Sequence, residues 1–257
     1  MDYVVVCTVA LLASGLTLFS GFGLGTLLLP AFTLFFSIPL AVALTAVVHF
    51  LSNLFKLLLL GRHAKLSIVW RFGLPAVISA MAGAWLLLAI SDLPPLATYH
   101  LWGVERVVLP VKVVVASRMV GFALLDVLPV FARVTMAPAY LPIGGLLSGF
   151  FGGLSGHQGA LRSAFLLKCG LSKEQFIATG VAIACVVDVS RLSVYGSTIA
   201  AIGWQENGWL LVAATAAAFL GAWVAARLIT RVTMRAVQWV VAILLCLIAL
   251  GVGSGLI

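Results

Sequence analysis

The chain has 257 residues, 63% of them hydrophobic and 9% charged, with a mean hydropathy of +1.24. Soluble domains carry about 25% charged residues, so this composition excludes a water-soluble fold and indicates an integral membrane protein. Lys and Arg number 15 against 7 Asp and Glu, a formal charge of +8, yet no basic patch interleaved with aromatics lies on a soluble surface, so no nucleic-acid partner is expected.

Apolar runs fill the length and leave no stretch for a separate soluble domain, so residues 1–257 read as one membrane domain with the lipid bilayer as a partner. The first segment begins Met-Asp-Tyr, without a basic n-region or a clear cleavage site before Gly21, and is expected to stay as a membrane segment. Residues 4–36 form an apolar run broken by Gly21, Gly23 and Gly25, too long for one upright span and too short for two. Residues 38–60 make a span that starts at Pro39 and stops at Gly61, before the basic stretch Arg62-His63-Ala64-Lys65. Spans follow at about 68–90, ended by Asp92-Leu93-Pro94-Pro95, and at 107–131, which carries Lys112, Arg118 and Asp126.

The run 139–170 repeats the pattern of the first, interrupted at 152–159. Spans at about 174–196, 208–230 and 236–256 complete the chain, with Arg227, Arg231 and Arg235 between the last two. Glycines weaken a helix and polar groups are costly in hydrocarbon, so neither Leu146–Arg162 nor Ser20–Pro30 can be a continuous lipid-facing helix. Paired Gly-interrupted segments point to a transporter's binding site.

The two halves match in order. A shift of 134 carries Gly25 onto Gly159 and Thr45 onto Thr179. A shift of 135 carries Asn53 onto Asp188, Lys56 onto Arg191 and Gly61 onto Gly196, and one of 138 carries Gly83-Ala84-Trp85 onto Gly221-Ala222-Trp223. If both interrupted segments crossed the membrane, the basic residues would divide four against six. If both are re-entrant hairpins, Arg62, Lys65, Arg71, Arg133, Lys168, Lys173, Arg227, Arg231 and Arg235 fall on one side, with Arg106 opposite. Only the second arrangement obeys the positive-inside rule. The expected fold is therefore an all-α polytopic membrane protein of two inverted repeats, about 1–131 and 139–257. Each repeat has a re-entrant Gly-rich helical hairpin and three transmembrane helices, and both termini face outside.

At a hairpin tip the second half-helix presents free N–H groups and a positive dipole end, and glycines let a ligand reach the backbone, so a small anion is the expected guest. Gly21, Gly23, Gly25, Gly153, Ser155, Gly156, His157, Gln158 and Gly159 are candidate binding residues, with Ser163 adding a hydroxyl and Arg162 a permanent charge. Tight helix crossing is the other use of such glycines, and it is preferred for Gly144, Gly145 and Gly149. Asn53 with Lys56, and Asp188 with Arg191, stand at i and i+3 on one helical face. Asp188 and Arg191 can be a structural pair, or Arg191 can neutralise the anion while Asp188 couples protons; His49, one turn before Asn53, can assist that coupling or only pack. Trp85 and Trp223 read as interfacial anchors. Cys7, Cys169, Cys185 and Cys246 lack C-x-x-C or metal-ligand spacing and read as packing residues, so no metal or other cofactor is expected.

GGLSGHQGALRSAFLL from Gly152, followed by GLSKEQFIATGVAIACVVDVSRLSVYG from Gly170, resembles the second repeat of the sulfite exporter TauE/SafE family, the TSUP permeases. SGFGLGTLLLPAF at Ser20–Phe32 is similar to the family's first-repeat motif, so the resemblance covers most of the chain. Leu24 and Thr26 stand where the family has a denser glycine run, and Pro30 is matched by Ala164 in the second repeat. The resemblance implies a permease for small sulfur-containing or organic anions such as sulfite, sulfonates or sulfoacetate, commonly an exporter in the cell's inner (plasma) membrane. Proton-coupled export by alternating access is the expected function, and no enzyme is expected. A passive anion channel and a membrane-embedded enzyme or redox-assembly protein are the alternatives, and homo-oligomerisation is left open.

Overall fold

The first interrupted segment folds as helices α1 (Asp2–Ser20) and α2 (Leu24–Thr33), packed side by side. The fold is taken from a computed structural model that describes residues 2–20, 24–128, 136–201, 204–228 and 234–256. Gly21, Gly23, Arg133 and Arg231 lie outside the described residues. Helix α3 (Ile38–Leu60) has Pro39 in its first turn, where the missing N–H costs nothing. A short 3-10 turn at Gly61–His63 leads to α4 (Leu66–Ser91).

Between α4 and the next helix a short strand pair interrupts an otherwise helical chain. Strands β1 (Ala97–Leu101) and β2 (Val104–Val108) pair antiparallel, Leu101 against Val104. The reversal puts Trp102 and Gly103 at φ of 54° and 75°, the positive values that a two-residue hairpin turn of type I′ demands. The hairpin is anchored to the C-terminal end: Tyr99 Oη donates to the Ser254 carbonyl (2.7 Å) and Arg106 Nη1 to that of Leu256 (3.0 Å). Residues 107 and 108, expected in a span, belong to β2, and helix α5 (Pro110–Val127) starts at the following proline.

The second interrupted segment folds as α6 (Leu141–Ser155) and α7 (Gly159–Leu166), then come α8 (Lys173–Ala201), α9 (Trp204–Leu228) and α10 (Met234–Gly253). The pair α6 and α7 turns back on itself. Gly144, near the start of α6, lies against the Phe165 ring at the end of α7, and the Met136 N–H donates to the Ala164 carbonyl (3.2 Å). The segment therefore returns to the end at which it began.

Among the described residues, three stretches are long and apolar enough to cross a membrane: Ile38–His63, Leu66–Ser91 and Lys173–Ala200. Together with the 63% hydrophobic composition, they make this an integral membrane protein. The first and third are 61% buried and the second 33%, so α3 and α8 form the centre while α4 turns much of its surface outward. Side chains such as Leu58, Trp70, Ile78 and Trp85 point out from α3 and α4, where water would penalise them and lipid does not.

Helix pairing follows small residues. On α6, Gly145, Gly149 and Gly153 form a stripe in which any Cβ would collide with the carbonyls of Phe72, Ala76 and Ala80 on α4. Without side chains the two backbones approach closely, which is how helices gain packing energy where no hydrophobic effect acts between them. Gly83 of α4 meets the Phe150 carbonyl of α6 in the same way, and Gly221 of α9 meets the Leu11 carbonyl of α1. Helix α3 packs along α8 and α5 along α10.

Candidate functional site

Helices α3, α7 and α8 and the turn between α6 and α7 bring the chain's buried polar groups together. Helix α6 ends at Gly156, whose N–H donates to the Gly152 carbonyl (2.9 Å) and whose φ of 76° is the left-handed value that favours glycine. The position is also crowded: a Cβ on Gly156 would lie 3.2 Å from Arg191 Nη1. Helix α7 begins three residues later at Gly159.

Asp188 of α8 is the centre of the cluster and the only buried carboxylate among the described residues. Its Oδ1 accepts from Arg191 Nε (3.0 Å) and from Gln158 Nε2 (3.3 Å), and Arg191 Nη2 lies 2.8 Å away. Its Oδ2 is 2.6 Å from His49 Nδ1, and an ionised carboxylate only accepts, so that nitrogen carries the proton. Asn53 Nδ2 donates toward the same oxygen at 3.5 Å and lies 3.3 Å from His49 Nε2, the ring nitrogen left free to accept. A carboxylate has about four lone-pair sites, so this one is saturated. Arg191 also donates from Nη1 to the Gly152 carbonyl (3.3 Å), tying α8 to the end of α6.

The two Gly-rich turns meet here. A Cβ on Gly25, at the start of α2, would stand 3.1 Å from the Gly156 carbonyl and 3.6 Å from the Thr45 methyl. Around the second turn, Ser148 Oγ donates to the Gln158 carbonyl (2.9 Å) and Tyr195 Oη to the Gly153 carbonyl (2.6 Å). His157 stacks on Phe122 at 5.4 Å, with Nδ1 2.8 Å from the Ser155 carbonyl. Its Nε2, with Gln158 Oε1, Thr45 Oγ1 and Arg162 Nη1, is a buried polar atom without a hydrogen-bond partner among the described residues. Unsatisfied groups are costly in a packed interior.

Of the expected binding residues, the structure gathers Asn53, Gly25, Gly156, Gln158 and Arg191 around Asp188 and His49, with Ser155, His157 and Gly159 on the adjoining turn. Gly153 sits in the seam between α6 and α4, and Arg162 one turn beyond Gln158. Gly21 and Gly23 are not among the described residues. Ser148 and Tyr195 join the surroundings unexpected, and Lys56, paired with Asn53 in the sequence, stands one turn beyond it on α3. Lys56 had a sequence signal, being the repeat counterpart of Arg191; Ser148 and Tyr195 had none apart from polarity inside apolar runs.

A sequence model of the sulfite exporter TauE/SafE family matches residues 6–252, nearly the whole chain and both Gly-rich turns. The chain belongs to the sulfite exporter TauE/SafE family. TauE/SafE proteins are membrane permeases, so the Asp188 cluster sits in a transporter framework. No curated protein and no solved structure matches the chain.

Proposed function

We propose that this TauE/SafE protein is a multi-pass secondary permease of the cell's inner (plasma) membrane that exports small sulfur-containing or organic anions, such as sulfite, sulfonates or sulfoacetate. Movement is coupled to protons and proceeds by alternating access. The observation that carries the reading is the meeting of two glycine-rich turns, Gly25 against Gly156, beside a buried and fully paired Asp188.

Two inverted repeats, about 1–131 and 139–257, are supported by how counterpart helices pack. Helices α3 and α8 run antiparallel: Asn53 faces Asp188, while Lys65, farther along, reaches Thr179, farther back. Helices α5 and α10 are also antiparallel, since Ala116 contacts Gly253 while residues 123–128 share a cavity with 239–247. The seam of Gly83 on Phe150 has its counterpart in Gly221 on Leu11. Counterparts that are antiparallel and adjacent are what a two-fold axis in the membrane plane produces, and carriers of this kind bind substrate where the repeats meet.

In this arrangement Asp188 holds Arg191. A proton on Asp188 or His49 loosens that pair and frees the guanidinium, backed by the polar groups of Ser155–Gly159, for an arriving anion. The anion and the Asp188 carboxylate thereby compete for Arg191, so a proton taken up by the cluster favours anion binding, which couples their movements. A thermal-shift screen of the purified protein against sulfite, thiosulfate, sulfonates and carboxylates tests the reading. A ligand at 100 times its Kd adds about 2.7 kcal/mol of stability, and no shift with any anion would count against it.

A further inference from the structure

One helical turn from the Asp188 cluster, α3, α7 and α8 each carry a second chemically marked residue. Lys56 follows Asn53 on α3, Arg162 follows Gln158 on α7, and Cys185 precedes Asp188 on the antiparallel α8. All three therefore step in the same direction, toward the end where α7 finishes and α8 begins, beside the basic residues Lys168 and Lys173. Arg162 leans onto α8 at Gly180, where a Cβ would stand 3.4 Å from its Nε.

Among the described residues, neither cation is held in an ion pair. Lys56 is 4% exposed and has neither a carboxylate nor a hydrogen-bond acceptor among the described residues. Arg162 Nη1 is a buried donor without an acceptor. The one buried acid near them, Asp188, is committed to Arg191 and His49. Burying even one unpaired charge is costly, so two of like sign, each one turn from the same cluster, call for negative charge from outside.

We infer that Lys56 and Arg162 form a binding site for a small oxyanion carrying two negative charges, on the basic-residue side of the hairpin tips. The planar guanidinium takes two oxygens of one group and the ammonium a third or a second acidic group. A monoanion leaves one cation unneutralised, so the site selects dianions such as sulfite, thiosulfate or sulfate over singly charged sulfonates. This assignment rests on the permease reading and narrows its substrate class.

The test is equilibrium binding by calorimetry to the purified full-length protein at pH 8, with sulfate and thiosulfate as dianions and methanesulfonate as a monoanion of similar shape. Wild type is expected to bind the dianions about 10- to 100-fold more tightly, the range for a charge-assisted hydrogen bond. Lys56→Gln and Arg162→Gln each should remove most of that preference, and Lys56→Arg should keep it. Equal affinity for both classes in wild type, or a preference that survives in both Gln variants, overturns this assignment and leaves the permease reading standing. No binding of any anion overturns both. If one Gln variant fails to fold, the other and the wild-type comparison decide.

Discussion

Replacing Asp188 with Asn keeps the size of the side chain and removes the one buried negative charge among the described residues. In the native cluster that charge accepts from Arg191 Nε at 3.0 Å and lies 2.8 Å from Arg191 Nη2, with His49 at 2.6 Å on the other oxygen. The Asn oxygen can still accept one or two of these bonds, but Arg191 is fully buried and loses its counter-charge. Removing one partner of a buried ion pair costs about 3–5 kcal/mol. For a chain of this length, that corresponds to a melting temperature lower by roughly 6–20 °C. Anion should restore part of the loss by supplying charge to Arg191. In proteoliposomes, wild-type anion flux should respond to an imposed pH gradient, and Asp188→Asn should move anion without that response. The reasoning is refuted if Asp188→Asn melts with wild type, or if its flux follows the pH gradient as before.

Gly25→Val should abolish flux by wedging apart the two turns, since even a Cβ would lie 3.1 Å from the Gly156 carbonyl; flux measurement with a melting curve checks it, with a stability loss of about 1–3 kcal/mol. Gly149→Leu should prevent stable assembly, because its Cβ alone meets the Ala76 carbonyl, and size-exclusion profiles in detergent would reveal aggregation. Tyr195→Phe removes the 2.6 Å bond to the Gly153 carbonyl and should cost about 1–3 kcal/mol in thermal melts for the buried acceptor left behind. A variant with Cys7, Cys169, Cys185 and Cys246 all replaced by Ala should retain flux; its loss would favour thiol chemistry.

Much of the architecture is legible because the signals are local. Glycine and proline mark helix ends whatever the tertiary context, which is why the 38–60 span coincides with α3 and the interruption within 152–159 contains the turn at residues 156–158. The strand pair at Ala97–Val108 also had a local signal, β-branched and aromatic residues on both sides of Trp102-Gly103. Only Val107 and Val108 of it fall within an expected span, and the rest lies in the connection between two spans. The site was only half legible. That Asp188 and Arg191 lie on one face follows from i,i+3 spacing, whereas the contact of His49 with Asp188 spans 139 positions and depends on how α3 packs on α8. Glycines were the hardest to sort, because seam and turn use the same residue: Gly153 supports α4, while Gly156, three positions on, has the left-handed φ and faces Arg191.

Counterflow of labelled sulfite in sealed proteoliposomes bears most directly on the proposal that paired hairpin tips carry an anion by alternating access. Preloading the vesicles with unlabelled sulfite should accelerate uptake of external label and produce a transient overshoot, and Gly25→Val should abolish both. Uptake that is indifferent to preloading, with label only equilibrating down its gradient, would contradict alternating access and indicate a passive anion channel.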